Sequence, residues 1–227
     1  MTPEEIAKTL TTGTQDVWIT IPEGKRAEEI AGLLKANINT YDPVWEEKLA
    51  TKEGYLFPDT YLFPKESGID LIISTVTNTF DSKYNSIPNN SKRSKEEIVT
   101  IASLVEREAR HPEDRPLVAS VMENRLGIDM ALQIDATIQY ALGYDPIKKT
   151  WWRRVTPSQL KTDSLYNTYL NPGLPPTPIA NPGKAALEAA IHPANTNYIY
   201  YFTDKNGVNH YSATLDEHNS QISKYGL

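Results

Sequence analysis

Two glutamates, Glu106 and Glu108, stand two positions apart in the stretch from Ser94 to Arg110, SKEEIVTIASLVEREAR. A carboxylate held partly out of water has its charged form disfavoured, so it keeps its proton closer to neutral pH. Glycosidic bond cleavage needs that property in its general acid. The same side chains also suit ordinary salt bridges, since Arg107, Arg110 and Arg115 are close by. The element that carries them reads as a helix. Ser94 and Glu97 have capping-box spacing, in which each side chain satisfies a free backbone N–H of the first turn. Ile98, Ile101, Ala102, Val105 and Ala109 recur at helical spacing and define a buried face. At about 100° per residue, Glu106 falls at one edge of that stripe and Glu108 near the other, between Ile101 and Leu104. Periodicity does not choose between them.

Other polar residues in ordered-looking contexts are candidates for a site. Glu53 and Asp59 lie in EGYLFPDTYLFP, whose two prolines argue against a central strand and for an extended segment laid on a core. Gln133, Asp135 and Gln139 lie in MALQIDATIQYALG, where Asp135 is placed to cap a helix running to Leu142, with Gly143 as its stop. Tyr166 and Asn167 open YNTYLNPGLPPTPIANPG, a long loop whose prolines and glycines give it fixed geometry. Rigid, aromatic loops of that length are more often functional than idle.

The surrounding elements give an α+β chain. Thr2-Pro3-Glu4-Glu5 has the pattern of a helix start running to about Leu10, with a stop near Gly13. Val17 to Ile21 alternates as a strand, Pro22-Glu23-Gly24 turns, and Arg26 to Ala36 is amphipathic. These form a small α/β lobe. A short helix follows Asp42-Pro43, another spans Leu71 to Tyr84, and residues 85–93 form a polar loop. Beyond the Ser94 helix, Pro116 starts the next one, and Thr156-Pro157-Ser158-Gln159 repeats the cap pattern. A helix over Lys184 to Ile191 precedes a hairpin, Tyr198 to Thr203 and Val208 to Ala213, turning at Asn206-Gly207. Asp216 to Leu227 reads as a short helix or tail.

Composition narrows the chemistry. The 227 residues carry a formal charge of -6, which gives no general reason to expect nucleic acid as a partner. With no cysteine, disulfides, thiolate nucleophiles and Cys-ligated metal sites are excluded. The four histidines, 111, 192, 210 and 218, lack metal-ligand spacing, so no metal is expected. No P-loop, dinucleotide fingerprint, HExxH or GxSxG pattern occurs. No apolar run reaches membrane-spanning length, so the stretch given reads as soluble. Thirteen Tyr and four Trp against four Phe suit a half-wet groove such as one that takes carbohydrate.

EGYLFPDTY, ASLVERE, VMENRL, LQIDATIQYALG, YNTY, GLPPTPIANPG, AAIHPA and the late HNSQ, taken in order, resemble the endolytic murein transglycosylase (YceG-like) family, once labelled aminodeoxychorismate lyase. The resemblance runs from about Glu53 to Asn219. WITIPEGKRAEEIAGLL resembles part of a LysM-like subdomain. It implies a partial LysM-like lobe and connector over residues 1–50 and a mainly helical catalytic domain over 51–227. The implied activity is non-hydrolytic cleavage of the β-1,4 bond from N-acetylmuramic acid to N-acetylglucosamine in peptidoglycan, leaving 1,6-anhydromuramyl ends, with no cofactor. The resemblance matches the catalytic glutamate to Glu106, acting as acid and then base. It assigns Gln133, Asp135, Tyr166, Asn167, Glu53 and Glu108 to substrate binding or support. It also implies a membrane-anchored protein at the extracytoplasmic face, working beside peptidoglycan synthases or penicillin-binding proteins, of which this chain is a soluble portion. Two other readings compete. The lyase label implies pyridoxal phosphate, but no lysine sits in a convincing context for a Schiff base. The other is a non-catalytic peptidoglycan-binding or scaffold module of the cell-wall machinery.

Overall fold

A computed structural model describes residues 2–4, 7 and 15–226. The rest of the expected opening helix to Leu10, and its stop near Gly13, lie outside the described residues. In chain order the elements are β1 (Asp16–Thr20), α1 (Ala27–Asn37), α2 (Val44–Ala50), β2 (Thr60–Pro64), α3 (Ile69–Asn85), α4 (Lys95–Glu108), α5 (Arg115–Gly127), α6 (Asp135–Leu142), α7 (Lys184–Ile191), β3 (Tyr200–Thr203), β4 (Asn209–Ser212) and α8 (Leu215–Tyr225). The chain is α+β: a small α/β lobe, a mainly helical body and a late hairpin. Among the described residues, no helix is long and apolar enough to cross a membrane.

β1 and β2 pair antiparallel across the two lobe helices, with Trp18 opposite Leu62 and Ile19 opposite Tyr61. A two-stranded sheet has only edges, so the proline-bearing segment can serve as a strand here. One face of this ribbon buries Ile19, Tyr61 and Phe63 with Ala27, Ile30 and Leu34 of α1 and Trp45 and Leu49 of α2. The same cluster takes in Ile69, Ile72 and Val76, the first half of α3. The second half of α3, Phe80 and Tyr84, belongs to the other core, built around α4. α3 therefore serves both cores.

α4 is the axis of the larger core. Ser94 Oγ accepts from the Glu97 N–H at 3.2 Å and the Ser94 N–H donates to Glu97 Oε2 at 2.9 Å, closing the expected capping box. Every residue from Ile98 to Val105 is buried. A helix apolar or small on all sides belongs in a core, and α5, α6 and α7 pack around this one. It ends at Glu108, two residues before the expected Arg110. His111 precedes Pro112 and is held extended, so the chain leaves the helix early.

A buried polar clasp joins lobe and body. Both Glu53 carboxylate oxygens accept from the Ala27 N–H at 3.1 Å, at the start of α1, and Oε1 also accepts from Asn181 Nδ2 at 2.7 Å. Asn181 in turn accepts from the Leu56 N–H at 2.8 Å and donates to the Lys25 carbonyl at 2.9 Å. A carboxylate at a helix N-terminus answers its free N–H groups and its dipole. Next to it, Gly54 has φ +89, and a Cβ there would stand 2.5 Å from Pro178 Cγ and 2.9 Å from Val99 Cγ1. Only glycine allows that approach of the 166–183 loop to α4.

The clasp sets two measurable outcomes. Glu53→Ala strands two buried donors, at 1–3 kcal/mol each, and is expected to lower unfolding free energy by about 3 kcal/mol in urea titrations. Burial pushes Glu53 up to about 8, against the Ala27 N–H, whereas an unfolded glutamate titrates at about 4.3. Between those values the folded chain holds a proton that the unfolded chain has released, so this group makes stability fall as pH rises. The decline from about pH 5 to 8 is expected to be shallower in Glu53→Gln than in the native chain.

Candidate active site

The last turn of α4 sends three successive side chains in three directions. Glu106 turns toward the 181–183 segment: Oε2 accepts from the Gly183 N–H at 3.1 Å and Oε1 from Arg115 Nη2 at 3.1 Å. Its side chain is 7% exposed. Glu23 of the lobe meets the same arginine at 3.5 Å. Arg107 lies on the Trp152 ring, 3.7 Å from its centroid, and donates to the Gly24 carbonyl at 3.3 Å. Trp152 Nε1 donates to Glu29 at 3.1 Å, so Arg107 is wedged between lobe and body.

Glu108 turns the other way and opens onto a cavity of about 470 Å³. Its Oε2 accepts from the Tyr201 hydroxyl on β3 at 2.7 Å. The cavity is also lined by Gln133, Asp135, Arg125, Tyr169 and, from α8, His218. Burial raises the pKa of both glutamates. For Glu106 the Gly183 N–H and Arg115 oppose that rise, and for Glu108 the Tyr201 hydroxyl opposes it while the charge of Asp135 adds to it. Titration therefore does not separate them, but access does. Both Glu106 oxygens are engaged against the lobe, whereas Glu108, held by the Tyr201 hydroxyl and the Ala136 N–H, lines the cavity beside a second carboxylate.

Asp135 was expected to cap α6. Instead Ile134 is the cap residue, in extended backbone, and Asp135 is the first helical residue. Its Oδ1 accepts from the Tyr169 hydroxyl at 2.7 Å, which leaves the carboxylate exposed at the cavity. Gln133 holds φ 55, a left-handed conformation disfavoured outside glycine. Its N–H donates to the Thr168 carbonyl at 3.1 Å and its Oε1 accepts from Arg125 Nη1 at 3.2 Å. Backbone held in such a region needs its surroundings to enforce it and tends to occur at functional sites. Arg125 does much of the enforcing. Its Nη1 also donates to the Ala131 and Leu132 carbonyls at 3.0 Å, and its Nε to the Ile199 carbonyl at 2.6 Å.

The remaining candidates stand apart from this cavity. Asn167 is fully buried, and its amide donates to the Leu160 and Thr162 carbonyls at 3.0 and 2.7 Å, which shapes the loop. Tyr166 packs on Tyr140 and its hydroxyl pairs with Thr177 at 2.7 Å. Gln139 donates to the Arg153 carbonyl at 2.8 Å. Glu53 is the buried clasp of the lobe. Within YNTY it is Tyr169, not Tyr166, that reaches the cavity, and Arg125, Tyr200, Tyr201 and His218 line it without having been singled out. Arg125 had a visible signal, a guanidinium near a helix end beside the LQID segment. His218 opens the HNSQ motif and Tyr169 closes YNTY, whereas Tyr200 and Tyr201 carry only the hairpin pattern. Among the described residues, no group of three or more acidic or histidine side chains gathers as a metal-binding set.

Removing the Asp135 charge tests the coupling of the two carboxylates. Asp135→Asn keeps an acceptor for Tyr169 and deletes a like charge near Glu108. The Glu108 carboxyl is expected to titrate lower in that variant, read from its infrared C=O band. An unchanged midpoint would mean the two groups do not sense each other.

The sequence and fold match known proteins. A model of the YceG-like family matches residues 1–224. The chain is 44% identical over 177 residues to the endolytic murein transglycosylase of Bacillus subtilis (strain 168), covering 76% of this chain and 48% of that protein. It is 34% identical over 177 residues to the endolytic murein transglycosylase of Streptococcus pneumoniae serotype 2 (strain D39 / NCTC 7466), covering 76% of this chain and 32% of that protein. The chain thus spans half or less of the curated relatives it matches. A crystal structure of a yceG-like protein from Listeria monocytogenes superposes with a TM-score of 0.75 at 32% identity, over 97% of this chain and 81% of that one.

Proposed function

Because the chain belongs to the YceG-like family, we propose that it is the catalytic part of an endolytic murein transglycosylase, with Glu108 rather than Glu106 as acid and base. The observation that carries the choice of glutamate is access. Glu108 borders the 470 Å³ cavity with Asp135, while both oxygens of Glu106 accept from Arg115 and Gly183. The relatives' names, endolytic murein transglycosylase, supply the reaction and the substrate.

In this mechanism protonated Glu108 gives its proton to the glycosidic oxygen that leaves with N-acetylglucosamine. The muramyl 6-hydroxyl attacks the anomeric carbon from within the same sugar and passes its proton to the Glu108 carboxylate. A 1,6-anhydro end forms, no water is consumed, and Glu108 returns to its starting state. An internal nucleophile has a large advantage of proximity over recruited water, and no second nucleophilic carboxylate of the retaining-glycosidase kind is needed. Asp135, held by Tyr169, is suited to stabilise the positive charge that builds at the anomeric carbon. Gln133 and Arg125 are suited to hydrogen-bond substrate carbonyls. Tyr166, Asn167 and Glu53 act in this reading by holding the loop and lobe. Glu106, with Arg115 and Glu23, fixes the last turn of α4 against the lobe, whose ribbon and core take in β2 and the first half of α3 beyond the expected boundary at residue 50, while the helical body carries the chemistry. The family setting, an anchored protein at the extracytoplasmic face beside peptidoglycan synthases, is part of the same proposal.

Mass spectrometry of digested sacculi tests it. The native chain is expected to release anhydromuramyl ends. Glu108→Gln is expected to lose them by 10²-fold or more, the scale of a missing general acid, while Glu106→Gln loses about tenfold or less. The reverse order would return the acid/base role to Glu106. Reducing-end muramic acid as the main product would mean hydrolysis, and no cleavage by the native chain would favour a binding module.

A further inference from the structure

Resting on that reading of Glu108, we propose that Tyr201 is a positioning residue whose phenol commits Glu108 Oε2 to accepting, so that the transferable proton rides on Oε1. The contact is a 2.7 Å hydrogen bond donated by the Tyr201 hydroxyl. Burial, then the charge of Glu108, hold the phenol far above its ordinary titration range, so it remains a donor throughout the working range. Its place is set from outside the cavity. Tyr201 pairs with Tyr211 across the hairpin, and the Tyr211 hydroxyl donates to Asp114 at 2.8 Å. Asn124 donates to the Thr196 and Tyr198 carbonyls at 2.9 Å, and Arg125 to that of Ile199, which fixes the strand entry on α5. A carboxyl with one oxygen held this way loses rotational freedom before substrate arrives, and a proton donor fixed in place needs no reorganisation at the moment of transfer.

The Ala136 backbone N–H in the first turn of α6 is a second donor to Glu108, and the remaining groups near it act through charge. Asp135 on α6 disfavours its ionisation and Arg107 on its own helix favours it. Arg125 on α5 and Tyr169 also line the cavity, as does His218 on α8, whose imidazole burial pushes down toward the neutral form. Tyr201 is the member of this set whose removal leaves the charges unchanged and deletes a donor to the carboxylate. A donor lost from a carboxylate destabilises its ionised form, so Glu108 should hold its proton to higher pH.

The test is Tyr201→Phe, which keeps the ring against Tyr211, a neighbour at 6.2 Å between centroids. The infrared C=O band of Glu108, identified as the band absent from Glu108→Gln, is titrated in the native chain and in the variant. Its midpoint is expected to rise by about one pH unit, the size of one hydrogen bond to a charged group. The basic limb of glycan cleavage should rise with it, as the general acid stays protonated longer. Tyr211→Phe, which loosens the same hairpin without touching Glu108, should leave the midpoint in place. An unmoved or lowered midpoint in Tyr201→Phe, or an equal shift in Tyr211→Phe, would overturn the proposal. Undiminished cleavage by Glu108→Gln would instead remove the acid/base reading, and the band would still report whether Tyr201 governs that carboxyl.

Discussion

The arrangement depends on one helix being surrounded. α4 is buried along every residue from Ile98 to Val105, so it has no freedom to rotate or slide without opening a packed core. Its last turn then projects Glu106, Arg107 and Glu108 as from a fixed post, toward Arg115, Trp152 and Tyr201 respectively. Roughly 200° separate residues two apart on a helix, so neighbours in sequence face opposite sides of the molecule. One side meets the lobe. The other meets the cavity.

That division assigns different work to residues of one chemical type. Glu53, Glu106 and Glu108 are three carboxylates drawn out of water, and burial raises each of them. Glu53 answers a helix N-terminus, Glu106 answers a guanidinium and a glycine N–H, and Glu108 answers a phenol at the edge of open space. A perturbed carboxyl is therefore not by itself a catalytic sign. What remains unsatisfied around it, and whether a ligand can reach it, decides.

Much of the fold was legible because its signals are local. The Ser94–Glu97 box, the amphipathic stripes of α1 and α3 and the Asn206-Gly207 hairpin need only neighbouring residues to be read. The pairing of β1 with β2 was not, since the partner lies 40 residues on and carries the prolines that argue against a central strand. That Glu106 faces the lobe and Glu108 the cavity needed the folded positions of Gly183, β3 and α6, and the hydrogen bonding of Glu53 needed Asn181 across 128 residues. Asp135 was misread as a cap because its residue type suits one, while the extended backbone at Ile134 fills that place. Tyr166 and Asn167 lie in the right loop but turn into it, and no periodicity in an irregular segment tells which side chains face out.

The cavity has walls of unequal firmness. Glu108 stands on the most deeply packed helix, whereas another wall is drawn from β3 and α8, and α8 has no buried residue. The hairpin itself buries Phe202 and Ser212 among its strand residues. Regions with few buried apolar contacts open locally at free energies well below that of global unfolding. Competence and foldedness are then two separate equilibria in this chain. Warmth or mild denaturant would detach the tyrosine wall while the helical body stays intact, so the useful lifetime of the site is shorter than the melting of the core would indicate.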